Sequence, residues 1–234
     1  MNVITLASRK GGAGKSTLTA QLAAQCHISG KRTLIIDADP QGSLSLWHSL
    51  RKDGLPKLVT PERGIERAIA FAMIDDFEYV FIDTAPTMWV VVQEAIRAAT
   101  LTLIPARPGF FDLAAVRETV KVARERDCPY AVVINAAPVK RDDKESALVA
   151  QSRSYFDGLS IPVWVGQISQ RAGFQSTLAA GASAAEIGPN TAAGIEVGKL
   201  WAAVEKSVEA INNARFEPGE AANEATNAVG ERAA

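Results

Sequence analysis

Near the start of the chain, the run Ser8-Arg9-Lys10-Gly11-Gly12-Ala13-Gly14-Lys15-Ser16-Thr17 gathers three glycines, two lysines and three hydroxyls into ten residues. A loop that holds a triphosphate needs this set. Glycines let backbone N–H groups point inward without a Cβ in the way, a lysine meets the β- and γ-phosphates, and a hydroxyl ligates a divalent cation. Lys15 and Ser16 fit those last two roles. The spacing follows G-x-x-x-x-G-K-[ST] except at its first position, which is Arg9, and it carries a second lysine, Lys10. A tight turn with incidental lysines would not be expected to end in Gly-Lys-Ser-Thr directly before a helical pattern.

Three carboxylates extend the site. Asp37 and Asp39 lie in Asp37-Ala38-Asp39-Pro40-Gln41-Gly42, and Asp83 lies in Phe81-Ile82-Asp83-Thr84-Ala85-Pro86. Each group ends an apolar run that reads as a strand. Carboxylates at the C-terminal ends of parallel strands face the crevice where ligands bind in such sheets. Phosphoryl hydrolysis needs one carboxylate to hold Mg²⁺ through its water shell and a group to orient the attacking water. A strand-end Asp also serves as a helix cap or turn former, but three of them following a phosphate loop favour the catalytic role.

The elements that must position these residues follow from periodicity. Short apolar runs at 3–7, 33–37, 79–83, 101–106, 130–135 and 163–168 predict strands, several β-branched on both faces. Helical patterns fall at 15–29, 64–72, 91–98, 113–126, 145–155 and 194–214, with Asp112 placed to cap the fourth. Alternation of this kind predicts an α/β fold, a mostly parallel sheet with helices on both faces. Hydrophobic residues make up 47% of the 234, enough for one well-filled core, so residues 1–214 read as a single domain. Residues 215–234 turn to Glu, Ala, Asn and Gly and predict a disordered acidic tail. A formal net charge of −1 excludes a globally basic nucleic-acid binder, so any DNA contact would fall to a local patch. Cys26 and Cys128 form no metal or disulfide motif, and no run reaches the roughly 18 apolar residues of a membrane span. The chain reads as cytoplasmic.

These stretches resemble the ParA/MinD family of deviant Walker ATPases, in which a P-loop NTPase domain carries the additional lysine. The likeness rests on residues 10–17, 37–42 and 81–86. It extends through Ser43-Leu44-Ser45-Leu46-Trp47, residues 108–112 and Ile168-Ser169-Gln170-Arg171, with Glu186 downstream. Within the family the chain is most similar to the short plasmid partition ATPases typified by ParF. The resemblance implies an ATPase, slow and partner-stimulated, that binds ATP and Mg²⁺. It implies that Gly11, Gly12, Ala13, Gly14, Lys15, Ser16 and Thr17 cradle the phosphates, with Asn135 near adenine. Ser16, Asp37 and Asp83 would serve the metal, Asp39 would orient water, and Lys10 would reach across a homodimer to the partner's phosphates.

The implied function is ATP-driven partition of plasmid or chromosomal DNA, in the cytoplasm on the nucleoid, with a small adaptor protein stimulating hydrolysis. Arg171 is the candidate for non-specific DNA contact. Departures from the family pattern are Ala85 before Pro86 and the lack of Arg or Lys in residues 187–193. The alternatives are positioning of a protein cargo, such as a carboxysome or chemoreceptor array, and a metabolic P-loop enzyme. An electron-transfer relative would need a cluster-binding cysteine in residues 84–92, where there is none, and the acidic tail argues against a membrane anchor.

Overall fold

The computed structural model describes residues 1–216. Six strands, β1 (Asn2–Leu6), β2 (Thr33–Ala38), β3 (Lys57–Val59), β4 (Tyr79–Thr84), β5 (Leu101–Ala106) and β6 (Tyr130–Ile134), form one parallel sheet in the order β3-β2-β4-β1-β5-β6. The helices among the described residues are α1 (Lys15–Ile28), α2 (Ser43–Ser49), α3 (Ile65–Ile74), α4 (Trp89–Ala98), α5 (Phe110–Glu125), α6 (Ala147–Asp157), α7 (Ala172–Ala179), α8 (Ala184–Ile187) and α9 (Ala192–Phe216). None is long and apolar enough to cross a membrane. Of the predicted tail, Arg215 and Phe216 finish α9, and 217–234 lie outside the described residues.

The inner strands are largely apolar on both faces because helices cover both. Ile4 and Leu6 of β1 and Phe81 of β4 pack against α1 and α9, where Trp201 meets Tyr79 edge-on with ring centroids 5.1 Å apart. On the other face Val3, Leu34 and Ile82 pack under α3 and α4, and Ile104 and Val132 under α5 and α6. A fully buried side chain such as Phe81 or Leu22 stabilises the fold by about 1.5–3 kcal/mol. The order of the strands sets the site. β1 sits between β4 and β5, and β2 flanks β4, so the C-terminal ends that carry Ser8, Asp37, Asp83 and Arg107 open on one edge.

Several expectations need correction. Residues 163–168 are not a strand of the sheet. They meet β6 at the bridge Val132↔Val163 and through N–H groups of Trp164 and Ile168 that donate to Val132 O and Ile134 O, with a second bridge just beyond at Ala137↔Ser169. Between the bridges the chain turns outward and leaves Val165 86% exposed. The Arg153 guanidinium collects the carbonyls of Trp164, Val165 and Gly166 in place of a ladder. Asp112 is not the cap of α5, because that helix starts at Phe110 after extended Gly109. Asp112 lies inside the first turn, and its Oδ1 is buried with no hydrogen-bond partner. β3 is short and carries Lys57, and α2 spans two turns, so neither gave a periodic signal long enough to read.

Candidate phosphate and hydrolysis site

The loop between β1 and α1 is fixed from below. Lys10 N–H donates to Ser8 Oγ (3.2 Å), and Asn135, at the end of β6, donates from Nδ2 to Ala13 O (2.7 Å). Gly14 caps α1 with φ 96°, and any side chain there would collide with the Asn135 amide, so both strain and space demand glycine. α1 has no side-chain cap. Its first N–H groups and positive dipole end face the loop, which suits an anion.

Lys15 begins α1 and is 5% exposed, with Nζ 3.5 Å from the Lys10 carbonyl. Burial lowers its pKa, and the Asp83 and Asp39 carboxylates pull it back up. Asp83 is fully buried, and neither of its oxygens has a hydrogen-bond partner. Burial pushes its pKa up to about 7. The Ser16 hydroxyl and the Lys15 charge oppose the rise, while Asp37 and Asp39 add to it. Parallel register sets Asp83 opposite both Leu6 and Asp37.

Asp37 is spoken for in part. Its Oδ2 accepts from Ser45 N–H (2.9 Å) and Ser45 Oγ (2.7 Å), so it anchors the uncapped first turn of α2. Asp39 shapes the following turn, accepting from Gln41 N–H at 3.0 Å.

A cleft of about 650 Å³ opens over the loop and Asp39, and neither Asp37 nor Asp83 lines it. Gly11, Gly12, Gly14, Lys15, Ser16, Thr17 and Asp39 line it, with Leu44 and Trp47 of α2 and Leu178 of α7 forming an apolar wall. A second concavity of about 340 Å³ lies on the other side of Asp39, shared with Asp37. Of the sequence-derived residues, Ala13 and Asn135 brace the loop and do not line the cleft. Lys10 does not line it either. Its Nζ stands 5.8 Å from the Phe111 ring centroid. Arg171 lies away from this cleft, with Nε and Nη2 paired to Glu196 (3.2 and 2.8 Å), so its charge is met within the chain.

A charged residue that the sequence reading did not name, Arg107, also lines the cleft. It follows β5 and lies against the loop at Gly12. The strand-end rule that found Asp37 and Asp83 would have found it, had it been applied to cations.

Hard oxygen donors are present for a divalent cation. The Ser16 hydroxyl and the unpartnered Asp83 carboxylate suit Mg²⁺, which keeps most of its waters and leans on substrate phosphates. Among the described residues no group of three or more His, Cys, Asp or Glu could hold a metal unaided. That fits an ion bound with a nucleotide.

A parallel sheet ending in a glycine-lysine loop against an uncapped helix defines a P-loop nucleotide-binding protein. Residues 4–214 match the CobQ/CobB/MinD/ParA nucleotide binding domain, and the chain belongs to that family. Over 191 residues it is 28% identical to a maintenance of carboxysome distribution protein A from Gloeobacter kilaueensis, covering 73% of this chain and 88% of that one. It is 30% identical over 132 residues to a ParA protein of Rhizobium radiobacter, covering 54% of this chain and 58% of that one. The fold matches apo McdA of Cyanthece with a TM-score of 0.69 at 17% identity, over 89% of this chain and 99% of that one.

Proposed function

We propose that the chain is an ATPase that dimerises around ATP and Mg²⁺ and partitions or positions a large cargo, DNA in the first reading. The observation that carries this is the buried Lys15 ammonium, which opens α1 in a glycine-rich loop lining the cleft and meets only a backbone carbonyl of its own chain. A desolvated ammonium held this way is costly unless a ligand completes its environment. In this reading Lys15 takes the β- and γ-phosphates, Thr17 the α-phosphate side, and Ser16 the Mg²⁺. Asp83 supports that ion through water. Bound Mg²⁺ would neutralise charge on the phosphates. Asp39 orients the attacking water. Asn135 holds the loop in shape, and Asp37 ties α2 to the strand end. A small partner protein accelerates hydrolysis and release.

Asp39→Ala is expected to keep ATP binding and dimerisation while turnover falls at least about a hundredfold. Orienting water counts mainly in the transition state. Light scattering should find an ATP-locked dimer. Parent-like hydrolysis would remove Asp39 from the role.

A second reading, a protein cargo, has specific support. The carboxysome-distribution relative matches 73% of this chain, and the candidate Arg171 and the helix α5 arginine Arg124 are engaged internally. Arg124 donates to Tyr130 Oη and the carbonyls of Leu159 and Ser160, and Arg171 to Glu196. The two readings part in a DNA-retention assay. Partition of DNA predicts retention with ATP only, falling steeply as salt rises, since phosphate contacts release counterions. An ATP-bound form that ignores DNA at low salt favours the protein cargo.

A further inference from the structure

We propose that Arg107 is a third phosphate-binding cation, one that contacts the terminal phosphate of the bound nucleotide from the β5 side of the loop. The proposal rests on the ATPase reading above and deepens it. Leu103 of β5 pairs with Leu6 of β1, so the residue leaving β5 emerges beside the phosphate loop. Arg107 lines the same cleft as Lys15 and Asp39. A Cβ built on Gly12 would stand 3.6 Å from its Nη2, an ordinary contact distance, so the guanidinium lies directly against the loop.

Several other arginines are occupied, and among the described residues Arg107 is the arginine that lines the cleft. Arg9 faces Glu118, Arg51 and Arg171 hold glutamates, and Arg153 gathers Glu145 and three carbonyls. Arg107, by contrast, is exposed and makes no hydrogen bond or ion pair among the described residues. A guanidinium of this kind presents a planar fork that pairs with two phosphate oxygens at once. Lys15 and Ser16 approach from the start of α1, and Arg107 from the opposite flank. In the reading above, Asp39 orients water at the terminal phosphate, so that phosphate lies in the cleft Asp39 and Arg107 share.

The test is titration of a fluorescent ADP and a fluorescent, slowly hydrolysed ATP analogue, each with Mg²⁺, against four proteins: the parent, Arg107→Ala, Arg107→Lys and Lys15→Ala. Arg107→Ala should weaken the ATP analogue about tenfold and ADP by less than about threefold, as expected for one charge-assisted contact confined to the terminal phosphate. Arg107→Lys should fall between it and the parent, and Lys15→Ala should lose both nucleotides. If Arg107→Ala binds both nucleotides like the parent while Lys15→Ala fails, the Arg107 contact is overturned and the site reading stands. Equal losses for ADP and ATP would also overturn the terminal-phosphate assignment. If Lys15→Ala binds like the parent, the site reading itself fails and the role of Arg107 goes with it.

Discussion

A Lys15→Ala protein is expected to lose ATP binding and turnover together, by more than about a hundredfold in affinity. Lys15 is 5% exposed and its ammonium reaches only the Lys10 carbonyl, at 3.5 Å. It is held where water cannot solvate it well, so its charge acts at close range and with little screening. Without it, incoming phosphates would face Asp83, Asp39 and Asp37 with the central cation gone. The loop itself should survive. Its brace is Asn135 on Ala13 O, and the helix start is set by Gly14, neither of which needs the lysine side chain. Calorimetric titration with ATP, alongside a thermal unfolding scan, separates the two outcomes. A folded Lys15→Ala protein that binds ATP like the parent would remove this loop from the site.

Lys10→Ala is expected to leave ATP binding within about threefold of the parent and yet abolish ATP-dependent dimerisation, with hydrolysis falling alongside. The backbone of Lys10 serves its own loop: N–H to Ser8, carbonyl to Lys15. Its side chain has no ion pair among the described residues and stands near Phe111, which is 75% exposed beside Phe110 at 78%. A lysine with no task in its own subunit, set against bare aromatic surface, is placed to meet a second copy. A desolvated contact with that copy's phosphates would change dimer affinity about a hundredfold. Lys10→Arg should fail as well, because a planar fork does not replace a compact ammonium in a tight loop. Sedimentation velocity with a slowly hydrolysed ATP analogue decides the matter. Dimers of Lys10→Ala at parent concentrations would refute the proposed dimer.

Much of the site could be read in the sequence because it is built from local rules. Gly14 must be glycine for its left-handed φ, Lys15 and Ser16 must open a helix, and Asp37 and Asp83 must end strands. All of these leave a mark within a few residues. The tertiary partners left none. Nothing near Asn135 says that its amide would meet Ala13, 122 residues away. Nothing near Asp37 says that its carboxylate would be given to Ser45 of α2. The run at 163–168 shows the converse failure. Its apolar residues satisfy the strand pattern, but Val165 and Gly166 send their carbonyls to Arg153, and the ladder breaks there. Arg107 is legible as a strand-end cation, but its approach to Gly12 is not, because the pairing of β1 with β5 creates it.

The strand order also decides when, during synthesis, the nucleotide site can exist. The phosphate loop is made before the strands that flank it, since the neighbours of β1 in the sheet are β4 and β5, which begin at Tyr79 and Leu101. The brace on Ala13 arrives later still, with Asn135. Closing contacts so far apart costs chain entropy before any packing repays it, which slows folding. The loop therefore leaves the ribosome before its neighbours and gains its brace only once Asn135, 122 residues past Ala13, has followed. Until then Ile4 and Leu6, fully buried in the finished sheet, have no partner strands and are among the surfaces a chaperone would meet first.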